Sequence, residues 1–88
     1  MRLKTFLMKI KYFAWIRELT KIEEENLDSN KIKNLEKLKA FLITKYPDLQ
    51  KHFDKEILRF AVNQVYIVEN IDIYKNDEIA IFPPVSGG

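Results

Sequence analysis

Apolar and polar side chains alternate from Met8 to Phe13, and this is the first regular pattern along the chain. A period of two residues is typical of a strand, and it places Ile10 and Tyr12 on the same face as Met8, with Phe13 on the opposite face. Residues 1–7 do not belong to this pattern. We therefore predict that they form an N-terminal arm of uncertain role outside the folded domain, with a start codon assigned one methionine too early as the alternative.

Two short elements are predicted next. Residues 14–19 carry apolar side chains at helical spacing, which predicts a short helix. Residues 21–27 predict an edge strand antiparallel to the first, whose acidic run at 23–25 favours a solvated edge that does not associate with another sheet. A metal or partner site is the alternative interpretation of that run.

The strongest helical pattern covers residues 35–46. Asn34 is a favourable N-cap, Glu36 complements the positive end of the helix dipole, and Pro47 requires the helix to end at or before the preceding residue. The spacing predicts one apolar stripe facing a sheet, with the helix lysines in solvent. The stripe consists of Leu35, Leu38, Phe41, Leu42 and Tyr46.

The second half of the chain predicts strands rather than helices. Residues 48–56 are expected to form a connecting loop that carries the single histidine, His52, on the surface. Asn63-Gln64 marks a tight turn, since Asn tolerates positive φ, and residues 75–78 form a second turn. The predicted strands are 58–62, 65–68 and 79–82.

The order β-α-β-α-β-β-β, with one long helix on one face of a mixed sheet of about five strands, is an α+β design that predicts the ubiquitin-like β-grasp fold over residues 8–82. In that arrangement the first and last strands are central neighbours. The phase of each strand then places Phe13, Tyr66 and Phe82 on the face away from the helix. Three aromatic side chains on that face predict a partner interface, unless edge packing or the N-terminal arm covers them.

The amino-acid composition argues against several classes of function. The 88 residues carry 15 basic and 13 acidic side chains, a net charge of +2 that does not indicate nucleic-acid binding. No segment is long and apolar enough to predict a membrane span, and the absence of cysteine fits the reducing cytoplasm. With one histidine and no cysteine, a self-contained hydrolytic site is disfavoured, and no metal site is predicted.

The two glycines of the chain, Gly87 and Gly88, are its last two residues. Glycine has no Cβ and fits a channel too narrow for any side chain. Pro83 and Pro84 precede them and favour polyproline II, in which six residues extend about 18 Å at roughly 3.1 Å each. Residues 83–88 are therefore predicted to form an extended tail that ends in a bare carboxylate.

Three segments resemble the small, sulfur-carrying subunit family of molybdopterin synthase. They are residues 12–19 (YFAWIREL), residues 61–64 (AVNQ) and residues 76–88 (NDEIAIFPPVSGG). The likeness extends from Met8 to Gly88, and the complete C-terminal motif is more specific than a diglycine alone. Two departures are Asn76, where the family usually has glycine, and a charge more basic than that of acidic relatives.

The resemblance implies a mechanism centred on the chain end. A partner resembling an E1 enzyme would use ATP to adenylate Gly88, and a sulfur donor would convert it to a thiocarboxylate. Gly87 and residues 83–86 (Pro83, Pro84, Val85 and Ser86) would thread the tail into the large synthase subunit, in a heterotetramer of two small and two large subunits. Sulfur would pass to cyclic pyranopterin monophosphate and build the molybdopterin dithiolene. The resemblance implies no bound cofactor, and it places the catalytic base on the large subunit.

Other functions share parts of this pattern. A sulfur carrier for thiamine or tRNA thiolation would use the same tail chemistry on a different acceptor. A ubiquitin-like modifier would join Gly88 to lysines of target proteins through an isopeptide bond. A simple interaction module is disfavoured, because binding alone does not require a diglycine end.

Overall fold

The structure is a computed structural model that describes residues 6–84. Within these residues, five strands and two helices follow one another in the predicted order, and a third helix lies in the second half. The strands are β1 (Leu7–Tyr12), β2 (Glu24–Asp28), β3 (Arg59–Val62), β4 (Val65–Ile67) and β5 (Glu78–Phe82). The helices are α1 (Ile16–Thr20), α2 (Leu35–Lys45) and α3 (Gln50–Asp54).

The strands form one mixed sheet in the order β2-β1-β5-β3-β4. β1 and β5 are parallel and pair at the centre, whereas β2, β3 and β4 join by antiparallel pairing. This topology confirms the β-grasp prediction, including the central position of the last strand. β1 begins at Leu7, one residue before the predicted start, and the carbonyl of Phe6 accepts hydrogen bonds from the amide and hydroxyl of Ser29.

One face of the sheet forms a hydrophobic core with α2. The predicted inward phases of β1 and β5 are correct, since Ile10, Tyr12, Ile79 and Ile81 are almost completely buried. Burying a large apolar side chain contributes about 1.5–3 kcal/mol before conformational entropy is subtracted, so this face supplies most of the stability. The helix residues that complete the core are Leu35, Leu38 and Leu42, with Phe41 and Tyr46 partly buried.

α2 begins and ends where its sequence signals predict. The side chain of Asn34 accepts a hydrogen bond of 2.9 Å from the Lys37 amide, and Asn70 caps the Glu36 amide from a neighbouring loop. The helix ends at Lys45, before Pro47. The prediction that its lysines are simply solvated is wrong for Lys45, whose ammonium group bonds to Glu25 of β2.

The prediction of a loop over residues 48–56 is also wrong. A 3-10 turn at Pro47–Leu49 leads directly into α3. Leu49 is fully buried, and the Phe53 ring stacks on Phe60 with centroids 5.8 Å apart. Leu49 and Phe53 are four residues apart, which is helical spacing, but the polar and charged residues around them obscure the pattern. His52 is half-buried rather than on the surface, and its ring lies 4.7 Å from that of Trp15.

The chain turns without internal glycine by placing other residues at positive φ. Asn63 and Gln64 have φ of 51° and 71°, as a two-residue type I′ hairpin requires, and Asn76 has φ of 70° in the turn before β5. Asn76 thus adopts the left-handed conformation in which glycine is usual. Lys21 closes α1 in the same region at 69°, which delays β2 to Glu24 instead of the predicted residue 21.

Candidate partner-binding face

The tail leaves the domain from the middle of the sheet. β5 lies between β1 and β3 and ends at Phe82, so Pro83 and Pro84 emerge between the ends of two neighbouring strands. Pro83 is half-buried and Pro84 is exposed. The remaining predicted tail residues, Val85, Ser86, Gly87 and Gly88, lie outside the described residues, and their roles stay predictions.

The three predicted interface aromatics lie on one surface beside this exit. The Phe13 amide donates a 3.1 Å hydrogen bond to the Ile81 carbonyl, which places Phe13 next to Phe82 across the β1–β5 pair. Tyr66 lies across β3 with its ring centroid 6.4 Å from that of Phe82. Phe13 is 43% exposed, Tyr66 54%, and Phe82 is half-buried. The predicted phases are therefore correct, and binding of a partner to this face stays a prediction.

The cross-strand register adds residues that the sequence analysis missed. Arg59 pairs with Phe82, so its side chain belongs to the same row as Phe13 and Phe82. Val68, one residue after β4, is 81% exposed next to this row. The alternation of Arg59 with Leu58 and Phe60 could have revealed its outward phase. We refer to Phe13, Arg59, Tyr66, Val68 and Phe82 as the tail-root patch.

Two small residues keep the surface beside the patch shallow. Ala61 pairs with both Ala80 and Tyr66, so the two alanines lie in the same row as Tyr66, next to the row that holds Phe82 and Arg59. Their methyl groups leave the aromatic rings standing above the sheet. An apolar surface with projecting aromatic rings is typical of the centre of a protein interface, where aromatic residues and arginine are enriched.

The hairpin between β3 and β4 is fastened to the start of β5. The side chain of Asn63 accepts a hydrogen bond from the Glu78 amide and donates one to the Asp77 carboxylate, both at 2.9 Å. Asp77 also accepts from the Tyr74 amide. These bonds hold the register of β5 against β3 and therefore determine where the tail exits. The Asn63 of the AVNQ segment thus has a positioning role in this fold.

Side chains with shifted pKa values lie on the face of the sheet that packs against α2, opposite the tail-root patch. Glu25 accepts hydrogen bonds from the hydroxyls of Tyr12 (2.6 Å) and Tyr46 (2.7 Å) and from the ammonium of Lys45. Burial alone would raise the pKa of Glu25, but these three donors outweigh it and lower that pKa. Burial, followed by the bond to Glu25, raises the pKa of both tyrosines. The predicted solvated edge is therefore wrong for Glu25, which has a structural role.

No helix within residues 6–84 is long and apolar enough to cross a membrane. The described part of the chain also holds no group of three His, Cys, Asp or Glu side chains placed to bind a metal ion. Around the base of the tail, the described surface presents exposed aromatic rings and a guanidinium group, the side chains that are enriched at the centre of protein interfaces.

Comparison with known proteins finds relatives that match most of this chain. The molybdopterin synthase sulfur carrier subunit of Dictyostelium discoideum is 38% identical over 91% of this chain and 94% of its own length. The protein of the same name from Arabidopsis thaliana is 32% identical over 92% of this chain and 82% of its own length.

Solved structures share the fold. The putative molybdopterin converting factor subunit 1 from Pyrococcus furiosus superposes with a TM-score of 0.78 at 22% identity, covering 90% of this chain and 98% of that one. The small archaeal modifier protein 1 from Methanosarcina acetivorans gives 0.69 at 28% identity, with coverages of 93% and 96%. A complex of subunits 1 and 2 of the molybdopterin-converting factor from Helicobacter pylori gives 0.65 at 23%, with coverages of 93% and 99%.

The model of the ThiS family matches residues 10–88, which include β1 from Ile10 onward, the other four strands, α2 and the C-terminal segment. The match extends over nearly all of the chain and agrees with the observed topology. The chain therefore belongs to the ThiS family and is a homologue of the molybdopterin synthase sulfur carrier subunits.

Proposed function

We propose that this protein is the sulfur-carrier small subunit of a molybdopterin synthase. The observation that carries the proposal is the central position of β5, which delivers a Pro-Pro-Val-Ser-Gly-Gly tail from the middle of an aromatic surface. The homologues that bear this name, which match across more than nine-tenths of the chain, support the same function.

The reaction uses the terminal carboxylate. At neutral pH this group is ionised, with a pKa of about 3.3–3.7, and is a poor electrophile. Transfer of AMP from ATP to the Gly88 carboxylate releases pyrophosphate and creates an acyl-adenylate. A sulfur nucleophile then attacks the acyl carbon and AMP leaves. The product is a thiocarboxylate, whose sulfur is nucleophilic and is carried on a backbone atom.

Two proteins and a sulfur source complete the proposed pathway. An E1-like enzyme catalyses the adenylation, and the large synthase subunit receives the tail and supplies the general base. There the sulfur passes to cyclic pyranopterin monophosphate, and two rounds of transfer give the dithiolene. The Helicobacter pylori neighbour, solved as a complex of subunits 1 and 2, supports a partner of this kind. The assembly that we propose contains two small and two large subunits.

A ubiquitin-like modifier is the second candidate. The Methanosarcina acetivorans neighbour, 28% identical, is named a small archaeal modifier protein, and it shares the fold over 93% of this chain. In that function Gly88 forms an isopeptide bond with a lysine of a target protein. The two candidates share adenylation and differ in the nucleophile that the activated glycine meets.

Intact-mass analysis of the protein purified from its own cells tests the proposal. We expect a fraction whose mass corresponds to replacement of one carboxyl oxygen by sulfur, and we expect this fraction to disappear in Gly88→Ala although the variant folds normally. Unchanged molybdopterin synthesis by Gly88→Ala would contradict the mechanism. Conjugates that survive boiling and reductant, without any thiocarboxylate, would establish the modifier function instead.

A further inference from the structure

The strands carry three basic side chains on the face of the sheet away from α2, which we call the open face. These side chains differ in whether a carboxylate of the fold pairs with them. The ammonium of Lys9 lies 3.6 Å from the Glu24 carboxylate, and that of Lys11 lies 3.1 Å from Glu78. Arg59 has no carboxylate within 4 Å among residues 6–84. The sheet therefore neutralises two of these cations internally and leaves unpaired the one that is beside Phe82, at the base of the tail.

The Arg59 side chain is held in place without being neutralised. Its Nη1 donates a 2.7 Å hydrogen bond to the Glu56 carbonyl, which orients the guanidinium plane over the loop before β3. That bond uses a single N–H group, and the other N–H groups of the fork stay available. A planar fork of this kind matches the two oxygens of a carboxylate, with which arginine forms its strongest pairs.

The surroundings of Arg59 favour an ion pair that forms only when a partner protein covers the guanidinium group. Its strand neighbour Phe82, together with Tyr66 and Val68, gives it an apolar rim. Covering such a rim excludes water, and exclusion of water strengthens the attraction between opposite charges. Arg59, Tyr66 and Val68 also line one end of a groove of about 500 Å³ that continues around the β4 edge to α2, where Glu36, Glu56 and Glu69 are among its lining residues.

We propose that Arg59 binds a carboxylate presented by the protein that receives the tail, at the centre of the tail-root patch. This inference rests on the proposed function, because it requires a protein partner on this face. Glu36, Glu56 and Glu69 line the same groove, so a pair between Arg59 and one of these carboxylates is the internal alternative, and Glu69, which follows Val68, is the one tested below.

Binding to the large synthase subunit of the same organism tests the inference, with the full-length chain and four variants. Arg59→Gln should weaken binding by about 30-fold or more, because it leaves the partner's carboxylate buried and unpaired, and should reduce the dependence of affinity on salt. Arg59→Lys should recover part of the affinity. The matched control is Lys11→Gln, which removes the same charge from the same face but from a residue already paired with Glu78; it should change affinity less than twofold.

Thermal unfolding of the same variants separates recognition from folding. If Arg59→Gln and Glu69→Gln lower the melting temperature equally, and affinity falls only as far as folding does, the arginine has an internal structural role and the inference is overturned. It is also overturned if Arg59→Gln binds as tightly as Lys11→Gln while the unmodified chain binds well, a result that leaves the proposed function intact. Failure of the unmodified chain to bind would instead remove the proposed function, and this inference with it.

Discussion

At the scale of single residues, the most tightly satisfied polar group is the carboxylate of Glu25. It lies at the edge of the sheet yet faces α2, where it receives hydrogen bonds from Tyr12, Tyr46 and Lys45. The two tyrosine rings also contact each other edge to face, with centroids 6.0 Å apart. One carboxylate thus joins the first strand, the edge strand and the end of the main helix.

Replacing this carboxylate should change how the free energy of unfolding depends on pH in acid. We expect Glu25→Gln to lower the free energy of unfolding at pH 7 by about 1–3 kcal/mol, because the charged acceptor of three donors is lost. The pKa of Glu25 is lower in the folded protein than in the unfolded chain, where it is about 4.3. Its stabilisation is therefore complete above that value and is lost as the pH falls through the folded-state pKa.

Urea unfolding from pH 7 down to pH 3 checks this prediction. The difference between Glu25→Gln and the unmodified protein should shrink in acid, where the native carboxylate becomes protonated. Glu24→Gln is the control, since Glu24 is an exposed neighbour with one weak ion pair, and it should change stability by less than about 0.5 kcal/mol. A deficit in Glu25→Gln that stays constant with pH would show that lost packing, rather than lost charge, explains it.

At the scale of elements, the turns restrict the backbone conformation of their residues most strongly. The β3–β4 hairpin needs positive φ at both loop residues, but only Asn63 has a side chain that contributes to the fold there. Gln64 is an ordinary residue in the left-handed region, which costs an L-residue about 1–2 kcal/mol relative to glycine. The same backbone conformation therefore tolerates substitution differently at two adjacent positions.

Glycine substitutions in this hairpin should have opposite effects. Gln64→Gly should raise the free energy of unfolding by about 1 kcal/mol, because glycine accepts positive φ without strain. Asn63→Gly should lower it by roughly 1–2 kcal/mol, because the bonds to Asp77 and to the Glu78 amide are lost. Equilibrium urea denaturation measures both variants against the same baseline. Effects of the same sign at the two positions would mean that turn strain alone, or the side-chain bonds alone, controls this hairpin.

Elements with local signals could be predicted from the sequence, and those that depend on distant partners could not. α2 was predicted because Asn34, its apolar stripe and Pro47 all lie within a few residues of it. α3 is not predicted because polar residues separate Phe53 from Leu49, which lies just before the helix, and the burial of Leu49 and the contact of Phe53 with Phe60 appear only in the fold. Glu25 was missed for the same reason, since its three donors come from β1 and the end of α2.

At the scale of the whole molecule, the sheet divides the protein into a face that folds it and a face that is available to a partner. Strand phase alone predicted that Phe13, Tyr66 and Phe82 share the open face. It could not reveal the row that joins Arg59 to Phe82, because that row depends on the register between β3 and β5. The described part of this face surrounds the base of the tail, so we expect a protein that takes the tail to cover the patch as well.

Phe82 is the residue at which this division can be tested, because it is the last residue of β5 and its buried neighbour Ile81 faces the core. We expect Phe82→Asp to weaken binding to the large synthase subunit by about 30-fold or more while the protein remains folded, since a charge replaces an aromatic ring at the centre of the patch. Calorimetric titration and thermal unfolding measure the two effects. Phe82→Ser separates loss of the ring from gain of the charge.

Ile81→Asp supplies the matched comparison one position away in the same strand. Its side chain is fully buried, so an unpaired carboxylate there should abolish cooperative unfolding. Binding can fall in both variants, but only Phe82→Asp should retain a native melting transition. If Phe82→Asp unfolds as Ile81→Asp does, the ring belongs to the core, and the open face has to be redefined around Phe13 and Tyr66. If Phe82→Asp binds with native affinity, a partner reaches the tail without covering this surface.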